Sequence, residues 1–126
     1  MIFGIGTDVL EISRIKSAVE RNGERFLNRV FTPAEQAYCL IQRDPYPGLA
    51  ARFAAKEAVV KALGTGFRGL SWTDVEVNKH SGGAPGVVLH GAACRFAQDQ
   101  GITEIKLSIS HSRQMAVAFA VALKGK

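Results

Sequence analysis

The segment from Leu49 to Leu63 constrains the fold of this chain more than any other. It consists almost entirely of good helix formers, and alanine occupies six of its positions. Gly64 follows, and a glycine at this position commonly supplies the left-handed residue at which a helix ends. We therefore predict one long helix whose small side chains let another element of the fold approach closely.

The same segment places charged side chains at helical spacing. Glu57 and Lys61 lie four residues apart and share one face, as do Arg52 and Lys56. This carboxylate and these cations could together hold a metal ion and an anionic ligand. Solvated helices use the same spacing for about 0.2–0.5 kcal/mol per pair, so the segment alone does not separate the two interpretations.

Length and composition predict a single globular domain over residues 1–126. The chain has 126 residues, of which 47% are hydrophobic and 21% charged, and its net charge of +5 indicates an acidic partner or a polyanionic ligand. Cys39 and Cys94 have no metal-binding spacing, which predicts buried free thiols and a reducing cytoplasm. Asp8 and Glu11 interrupt the N-terminal apolar run, so we expect neither a signal peptide nor a membrane span.

Ile2 to Leu10 is predicted to form the first strand. Gly4 and Gly6 fall on one side of it, and glycines in a strand indicate close approach by another backbone or by a ligand. Asp8 comes at the end of this strand, where an acid is unexpected among apolar residues. It could cap a turn, or it could bind a ligand.

The next segment is predicted to be a basic amphipathic helix. Ser13 is a candidate cap, the apolar stripe begins at Ile12, and Asn22-Gly23 could break the helix. Arg14 and Arg21 lie on the opposite side. Such a basic face suits docking on an acidic helix of a protein partner, a phosphate backbone, or contact with water alone.

Capping and turn signals predict the remaining elements. Thr32-Pro33-Ala34-Glu35 is a capping box that should start a helix running to about Arg43. The later elements are a strand at Asp74–Asn78, a turn at Ser81–Pro85, a strand at Gly86–His90, a helix at Gly91–Gln100, a strand at Glu104–Ser110 and a strand covered on both faces at Met115–Leu123. This order predicts an α+β domain with a largely antiparallel sheet.

Few sites for chemistry can be built from these residues. Asp8 and Glu57 would suit Mg²⁺, which often takes only one or two carboxylates, if the fold brings them together. The three histidines, including His80 and His111, lack the paired spacing of zinc ligands. Gly64-Thr65-Gly66 is not part of a phosphate-binding GxxxxGK[ST] loop.

Three motifs occur in an order that resembles a known family. They are Gly6-Thr7-Asp8-Val9, the segment from Arg52 to Gly66, and Ser108-Ile109-Ser110-His111-Ser112. Over essentially its whole length, the chain resembles the holo-[acyl-carrier-protein] synthases, which are small bacterial 4′-phosphopantetheinyl transferases. The central motif is long and specific, whereas the other two would be weak alone.

The resemblance implies a homotrimeric fold of that transferase type with active sites between subunits. The implied reaction is transfer of 4′-phosphopantetheine from coenzyme A to a serine of apo acyl carrier protein, with release of 3′,5′-ADP, for fatty acid biosynthesis. The resemblance leaves the proton acceptor open: Glu57, a metal-coordinated water or a carboxylate of the carrier could accept the serine proton. Neither a nucleic acid nor a membrane is an expected partner.

The resemblance also implies roles for individual residues. Asp8 and Glu57 match the Mg²⁺ ligands, and with Lys61, which would lie against the coenzyme A pyrophosphate, they form the expected catalytic group. Arg52, Gly64 and His111 match positions associated with the phosphates or the adenosine part of coenzyme A. These further positions are expected to complete the cofactor-binding site.

The same comparison implies a docking surface and shows one departure. Arg14 and Arg21 match the surface that receives the acidic recognition helix of acyl carrier protein. Ala84 stands where many relatives have a basic residue, so the resemblance implies no nucleotide contact from that side chain.

Two other functions are alternatives. A basic nucleic-acid-binding module would use the +5 charge, but Phe67 and Trp72 do not interleave with cations as single-strand binding requires. A degenerate relative could bind the carrier protein without catalysis. The presence of Asp8, Glu57 and Lys61 argues against that loss.

Overall fold

The computed structural model describes residues 1–79 and 83–125, which form five strands and five α-helices. In chain order these are β1 (Ile2–Glu11), α1 (Ile12–Asn22), α2 (Glu24–Val30), α3 (Pro33–Leu40), α4 (Tyr46–Leu63), β2 (Val75–Lys79), β3 (Pro85–Leu89), α5 (Gly91–Gln100), β4 (Ile102–His111) and β5 (Met115–Lys124). The predicted α+β class is confirmed. His80 and the Ser81-Gly82 part of the predicted turn lie outside the described residues.

The strands form two antiparallel sheets where one was predicted. The larger has the order β1-β5-β4, and β2 and β3 form a separate two-stranded sheet. In the larger sheet β5 is central and pairs antiparallel with both neighbours. Strand direction therefore follows the prediction, while the division into two sheets was not foreseen.

Helix α4 packs on the larger sheet through direct backbone contact with β1. A Cβ atom added at Gly4 would lie 2.1 Å from the carbonyl oxygen of Ala62, and one at Gly6 would lie 2.0 Å from that of Ala58. Both distances are far below van der Waals contact, so the glycines are what allows the strand to approach the helix. The predicted close approach is confirmed, and it places the end of β1 beside α4.

Strand β5 is covered on one face only in the single chain, so the prediction of two covered faces is wrong here. Its alanines at alternate positions from Ala116 to Ala122 are buried, whereas Phe119 between them is 57% exposed. Ile5 and Val9 of β1 share the outer face and are 69% and 61% exposed. We call this outer surface, defined by Ile5, Val9 and Phe119, the open sheet face.

The start of α1 differs from the prediction. The helix begins at Ile12, directly after β1, and its N-cap Glu11 makes no side-chain capping bond. Ser13 therefore lies inside the first turn and is not the cap. The predicted break is confirmed at Gly23, whose φ of 53° suits glycine.

The junction between α3 and α4 lies about three residues earlier in the chain than predicted. The Thr32 capping box is present, but α3 ends at Leu40 and not near Arg43. Helix α4 begins at Tyr46, so Pro47 occupies its first turn, where the missing N–H leaves no bond unmade.

Both cysteines are free thiols, in agreement with the sequence-based prediction. Cys39 is buried as predicted, whereas Cys94 is only half-buried, which departs from the prediction. Burial raises the pKa of the Cys39 thiol, with the Arg52 cation lowering it in part. Cys39 thus behaves as a packed core side chain.

Candidate functional site

Asp8 and Lys61 meet where β1 crosses α4. The Lys61 Nζ lies 3.3 Å from Asp8 Oδ1 and also donates a hydrogen bond of 2.9 Å to the Thr7 carbonyl oxygen. The Asp8 side chain is 18% exposed and that of Lys61 is 49% exposed. This pair is held by the close backbone contact between Gly6 and α4, so its geometry is a consequence of the sheet–helix packing.

Glu57 joins this pair from one turn earlier on α4. Burial, followed by the neighbouring Asp8 carboxylate, raises the pKa of Glu57, and the Lys61 ammonium offsets part of that rise. The two carboxylates are therefore close enough to repel each other. We call Asp8, Glu57 and Lys61 the acidic edge, and the structure brings these three together as expected.

The acidic edge has the composition of a sparse magnesium site. Two carboxylates that repel each other are stabilised by a divalent cation between them, and Mg²⁺ commonly takes one or two carboxylates while leaving positions for water and phosphate. Within residues 1–79 and 83–125, no group of three or more histidine, cysteine, aspartate or glutamate side chains is arranged to hold a metal ion. Asp8 and Glu57 therefore suit a Mg²⁺ ion that keeps water and phosphate ligands better than a metal ion held by protein side chains alone.

A second site surrounds Arg52, on a different face of α4. Arg52 is 8% exposed, its guanidinium lies 4.6 Å from the Tyr38 ring centre, and its Nη1 donates 3.4 Å to the Gly48 carbonyl. Its Nε is buried and has no hydrogen-bond partner. A buried, unpaired donor on a cation is costly unless a ligand satisfies it, which makes this a candidate anion contact.

Arg52 lines a cavity of about 260 Å³ together with His111. Asn78 lines the same cavity and has a buried Oδ1 atom without a partner. Gly83 and Pro85 also line it, while Ala84 is not among its lining residues. The cavity is therefore lined by a cation, an amide and an imidazole, and the first two of these side chains each carry a buried polar atom without a partner.

The two sites remain apart in one chain. The cavity around Arg52 and His111 does not include Asp8, Glu57 or Lys61. Positions 52 and 57 also lie on different sides of α4, since five residues turn a helix by about 140° beyond one full turn. The structure thus groups the expected residues into two sets within a single subunit.

Gly64 ends α4 in the left-handed conformation predicted from the sequence. Its φ is 81° and its N–H donates to the Lys61 carbonyl at 3.0 Å. A side chain at this φ would be strained. Gly64 is therefore required by the turn that follows Lys61, whatever it contributes to ligand binding.

Lys56 does not belong to a ligand-binding row of cations. It is fully buried, with its Nζ 2.8 Å from Glu35 Oε1, and it donates to the carbonyl oxygens of Trp72 and Val75. Burial lowers the pKa of Lys56, and the Glu35 carboxylate acts in the opposite direction. The interpretation that paired Lys56 with Arg52 on one ligand-binding face is wrong, because Lys56 ties α4 to α3 and β2.

Arg14 and Arg21 lie on the exposed side of α1. They line a shallow surface depression of about 460 Å³ with Ser13, Ser17 and Glu20. Their spacing of seven residues places them on one side of the helix. The depression carries the Arg14 and Arg21 cations and the Glu20 carboxylate. An acidic partner is therefore attracted at the two arginines and repelled at Glu20.

An aromatic stack that joins α2, α4 and the segment between α4 and β2 was missed by the sequence reasoning. Phe26 of α2 stacks on Phe53 of α4 at 6.4 Å, Phe53 on Trp72 at 4.6 Å, and Trp72 on Phe67 at 3.9 Å. All four rings are half-buried. Asn78 and Tyr38 were missed as well, since strand alternation marks Asn78 only as outward-facing and nothing local pairs Tyr38 with Arg52.

Comparison with known proteins places this geometry in a family. The sequence matches the family model described as the 4′-phosphopantetheinyl transferase superfamily over residues 4–120. The holo-[acyl-carrier-protein] synthase of Desulforudis audaxviator is 55% identical over 123 residues, which make up 98% of this chain and 94% of that protein.

Solved structures agree with this match. The holo-[acyl-carrier-protein] synthase of Neisseria meningitidis superposes with a TM-score of 0.92 at 38% identity, covering 98% of this chain and 100% of that one. The Helicobacter pylori holo-[acyl-carrier-protein] synthase in complex with coenzyme A superposes with a TM-score of 0.84 at 33% identity, covering 94% and 99%. In the described parts of the chain, no helix has the length and apolarity needed to cross a membrane.

Proposed function

The chain belongs to the 4′-phosphopantetheinyl transferase superfamily, and we propose that it is a holo-[acyl-carrier-protein] synthase. It transfers 4′-phosphopantetheine from coenzyme A to a serine of apo acyl carrier protein and releases 3′,5′-ADP. The observation that carries this proposal is the acidic edge, held beside α4 by backbone contact, in a chain that matches such synthases almost end to end. We place the reaction in cytoplasmic fatty acid biosynthesis.

The reaction exchanges one phosphorus–oxygen bond for another. The serine oxygen forms a bond to the β-phosphorus that carries pantetheine, and the bond from that phosphorus to the bridging oxygen breaks. The electron pair leaves with 3′,5′-ADP, and the serine proton passes to a general base. Charge therefore accumulates on the diphosphate, and stabilising that charge is the main task of the site.

The residues of the acidic edge divide this task. Asp8 and Glu57 would hold Mg²⁺, which when bound supplies positive charge to the diphosphate oxygens. Lys61 is half-exposed, and its ammonium binds the diphosphate and neutralises charge on the leaving side. The Gly64 turn ends the helix directly after Lys61 and leaves room for the ligand to approach.

The cavity around Arg52 binds the adenosine end of coenzyme A. Support comes from the unpaired Nε of Arg52, which can donate to a phosphate, and from the unpaired Oδ1 of Asn78, which can accept from a base or a hydroxyl. His111 lines the same cavity. The structure of the Helicobacter pylori relative is a complex with coenzyme A, in agreement with this ligand.

We further propose a homotrimer with active sites between subunits. The open sheet face exposes Ile5, Val9 and Phe119, and contiguous exposed apolar surface of this kind marks an interface. Light scattering should give three times the chain mass of 13.6 kDa, and Phe119→Glu should dissociate the assembly. A monomeric wild-type protein would contradict this arrangement.

Arg14 and Arg21 are proposed as the docking surface for acyl carrier protein. Both are exposed on one side of α1, and complementary charge increases the rate of association with an acidic helix.

The function is tested by incubating the purified protein with Mg²⁺, coenzyme A and apo acyl carrier protein. Intact-protein mass spectrometry should show the carrier gaining one phosphopantetheinyl group, and a chelator added at the start should prevent it. No mass gain on any of several correctly folded carriers would overturn the proposal.

A further inference from the structure

Lys61 holds a position that bears on how the metal and coenzyme A bind. Its ammonium contacts Asp8 Oδ1 at 3.3 Å and the Thr7 carbonyl at 2.9 Å. Asp8 is also one of the two carboxylates proposed to hold Mg²⁺. The Asp8 carboxylate thus faces two cations, the ammonium of Lys61 and the proposed metal ion from solution.

We propose that Lys61 competes with the divalent cation for Asp8, and that the coenzyme A diphosphate removes this competition by drawing the ammonium to itself. Metal and coenzyme A then bind cooperatively, because each is bound more tightly once the other is in place. The inference rests on the proposed function and adds a regulation of the same site.

The lysine is able to make this exchange. Its side chain is 49% exposed and extends from the last turn of α4, and a flexible four-carbon stem lets an ammonium move without a change of the backbone. Exposed pairs of this kind are weak. Two charge-assisted bonds to phosphate oxygens can therefore replace the bonds to Asp8 and Thr7.

The competition also has a defined direction. With Lys61 on Asp8, an arriving cation meets an ammonium as well as a carboxylate, and part of the attraction to Asp8 is cancelled. With Lys61 on the diphosphate, the ammonium stabilises the ligand, and Asp8 is free for the metal. Thermodynamic linkage requires the effect to be reciprocal.

The test is a titration of the full-length protein with Mn²⁺, a paramagnetic substitute for Mg²⁺, followed by electron paramagnetic resonance without coenzyme A. Lys61→Met removes the competing charge and should bind Mn²⁺ about threefold to tenfold more tightly than wild type. Lys61→Arg keeps the charge and should stay within about twofold of wild type. Circular dichroism establishes that each variant is folded.

Lys106→Met is the matched control for loss of one positive charge. Lys106 is also an exposed lysine paired with a carboxylate, at 3.1 Å from Glu104, but it lies on β4 and not at the acidic edge. Its Mn²⁺ affinity should equal that of wild type. A gain equal to that of Lys61→Met would show a general charge effect and overturn the competition.

A second measurement repeats the titration with saturating coenzyme A and no carrier protein, after subtraction of Mn²⁺ bound by coenzyme A alone. The ligand should increase Mn²⁺ affinity by a larger factor in wild type than in Lys61→Met. Equal factors would overturn the proposed coupling.

An Asp8→Asn variant separates failure of this inference from failure of the proposed site. Unchanged Mn²⁺ affinity in Asp8→Asn would overturn the metal site, and the competition with it. Weakened affinity in Asp8→Asn, combined with unchanged or weakened affinity in Lys61→Met, would overturn the competition alone.

Discussion

Two clusters of charged side chains lie on helix α4, and each pairs one lysine of that helix with one or two carboxylates. On one side, Lys56 and Glu35 form a fully buried pair in which the ammonium has three acceptors. On another, Lys61, Asp8 and Glu57 form the acidic edge, where two carboxylates crowd one half-exposed lysine. We call the first cluster, Lys56 with Glu35, the buried junction.

The two clusters differ in whether the protein itself satisfies the charged atoms. In the buried junction each charged atom is satisfied by the protein, since Glu35 also accepts from the backbone N–H groups of Thr32 and Val77. In the acidic edge the charges are left incompletely compensated and open to solvent. Of these two clusters, only the acidic edge therefore has charge that a ligand can compensate.

Breaking the buried junction should give the largest effect on stability. Glu35→Ala leaves Lys56 buried without its carboxylate, which should lower the free energy of unfolding by about 3–5 kcal/mol. Urea denaturation measures the change. Glu104→Ala, which breaks the exposed pair with Lys106, is the control and should cost less than about 1 kcal/mol. Equal losses in the two variants would show that the buried pair stabilises the fold no more than the exposed pair does.

Breaking the acidic edge should instead abolish turnover and leave the fold intact. Asp8→Ala and Glu57→Ala should each reduce the rate of carrier modification by about 100-fold or more, because each removes a carboxylate that we propose holds the Mg²⁺ ion. Neither should lower the melting temperature appreciably. Asp99→Ala, an exposed acid at the end of α5, serves as control. Full activity in either active-site variant would refute the metal assignment.

Charge reversal on α1 tests whether carrier recognition is separate from both clusters. Arg14→Glu and Arg21→Glu should lower kcat/KM for the carrier about tenfold, since attraction to an acidic helix becomes repulsion. The KM for coenzyme A should stay unchanged. Arg95→Glu, on the exposed side of α5, is the matched control. Equal effects on both substrates would refute a docking role.

The smallest effects concern pH, where Glu57 and Glu76 should behave oppositely. Burial and Asp8 raise the pKa of Glu57 above its ordinary value of 4.5, so its contribution to stability falls as pH increases from there through the native pKa. A hydrogen bond from Thr32, then one with His90, lowers the pKa of Glu76, so its stabilising contribution is present above 4.5 and is lost as pH falls through the native pKa.

Melting temperatures of two variants check these signs. At about pH 7, Glu57→Gln should raise the melting temperature and Glu76→Gln should lower it, and both differences should shrink toward about pH 3. Shifts of the same sign at neutral pH would contradict the opposite environments of the two carboxylates.

Much of the fold could be predicted because local signals agreed with one another. The glycines of β1 and the alanines of α4 both announced a close contact, and the structure pairs Gly6 with Ala58. The Thr32 capping box and the left-handed Gly64 were equally readable. Each of these signals is written within a few residues of the element that it specifies.

What could not be predicted depends on partners distant in sequence. Nothing around Lys56 distinguishes it from Lys61, because the helix is apolar on most sides and the partner Glu35 lies on another helix. The open sheet face was misjudged because alternating alanines and large apolar residues in β5 fit a doubly covered strand equally well. One chain covers only the alanine side.

The contact between Gly6 and Ala58 lets main-chain packing set the spacing within the acidic edge. Since Gly6 contributes no side chain between strand and helix there, the distance between the two backbone segments that carry Asp8 and Glu57 does not depend on a rotamer at position 6. A methyl group added at Gly6 would lie 2.0 Å from the Ala58 carbonyl oxygen, and we expect it to push β1, with Asp8, away from α4. Substitutions elsewhere can change the side chains around these carboxylates, while the spacing of the strand and the helix that carry them stays set by the packing of the main chain.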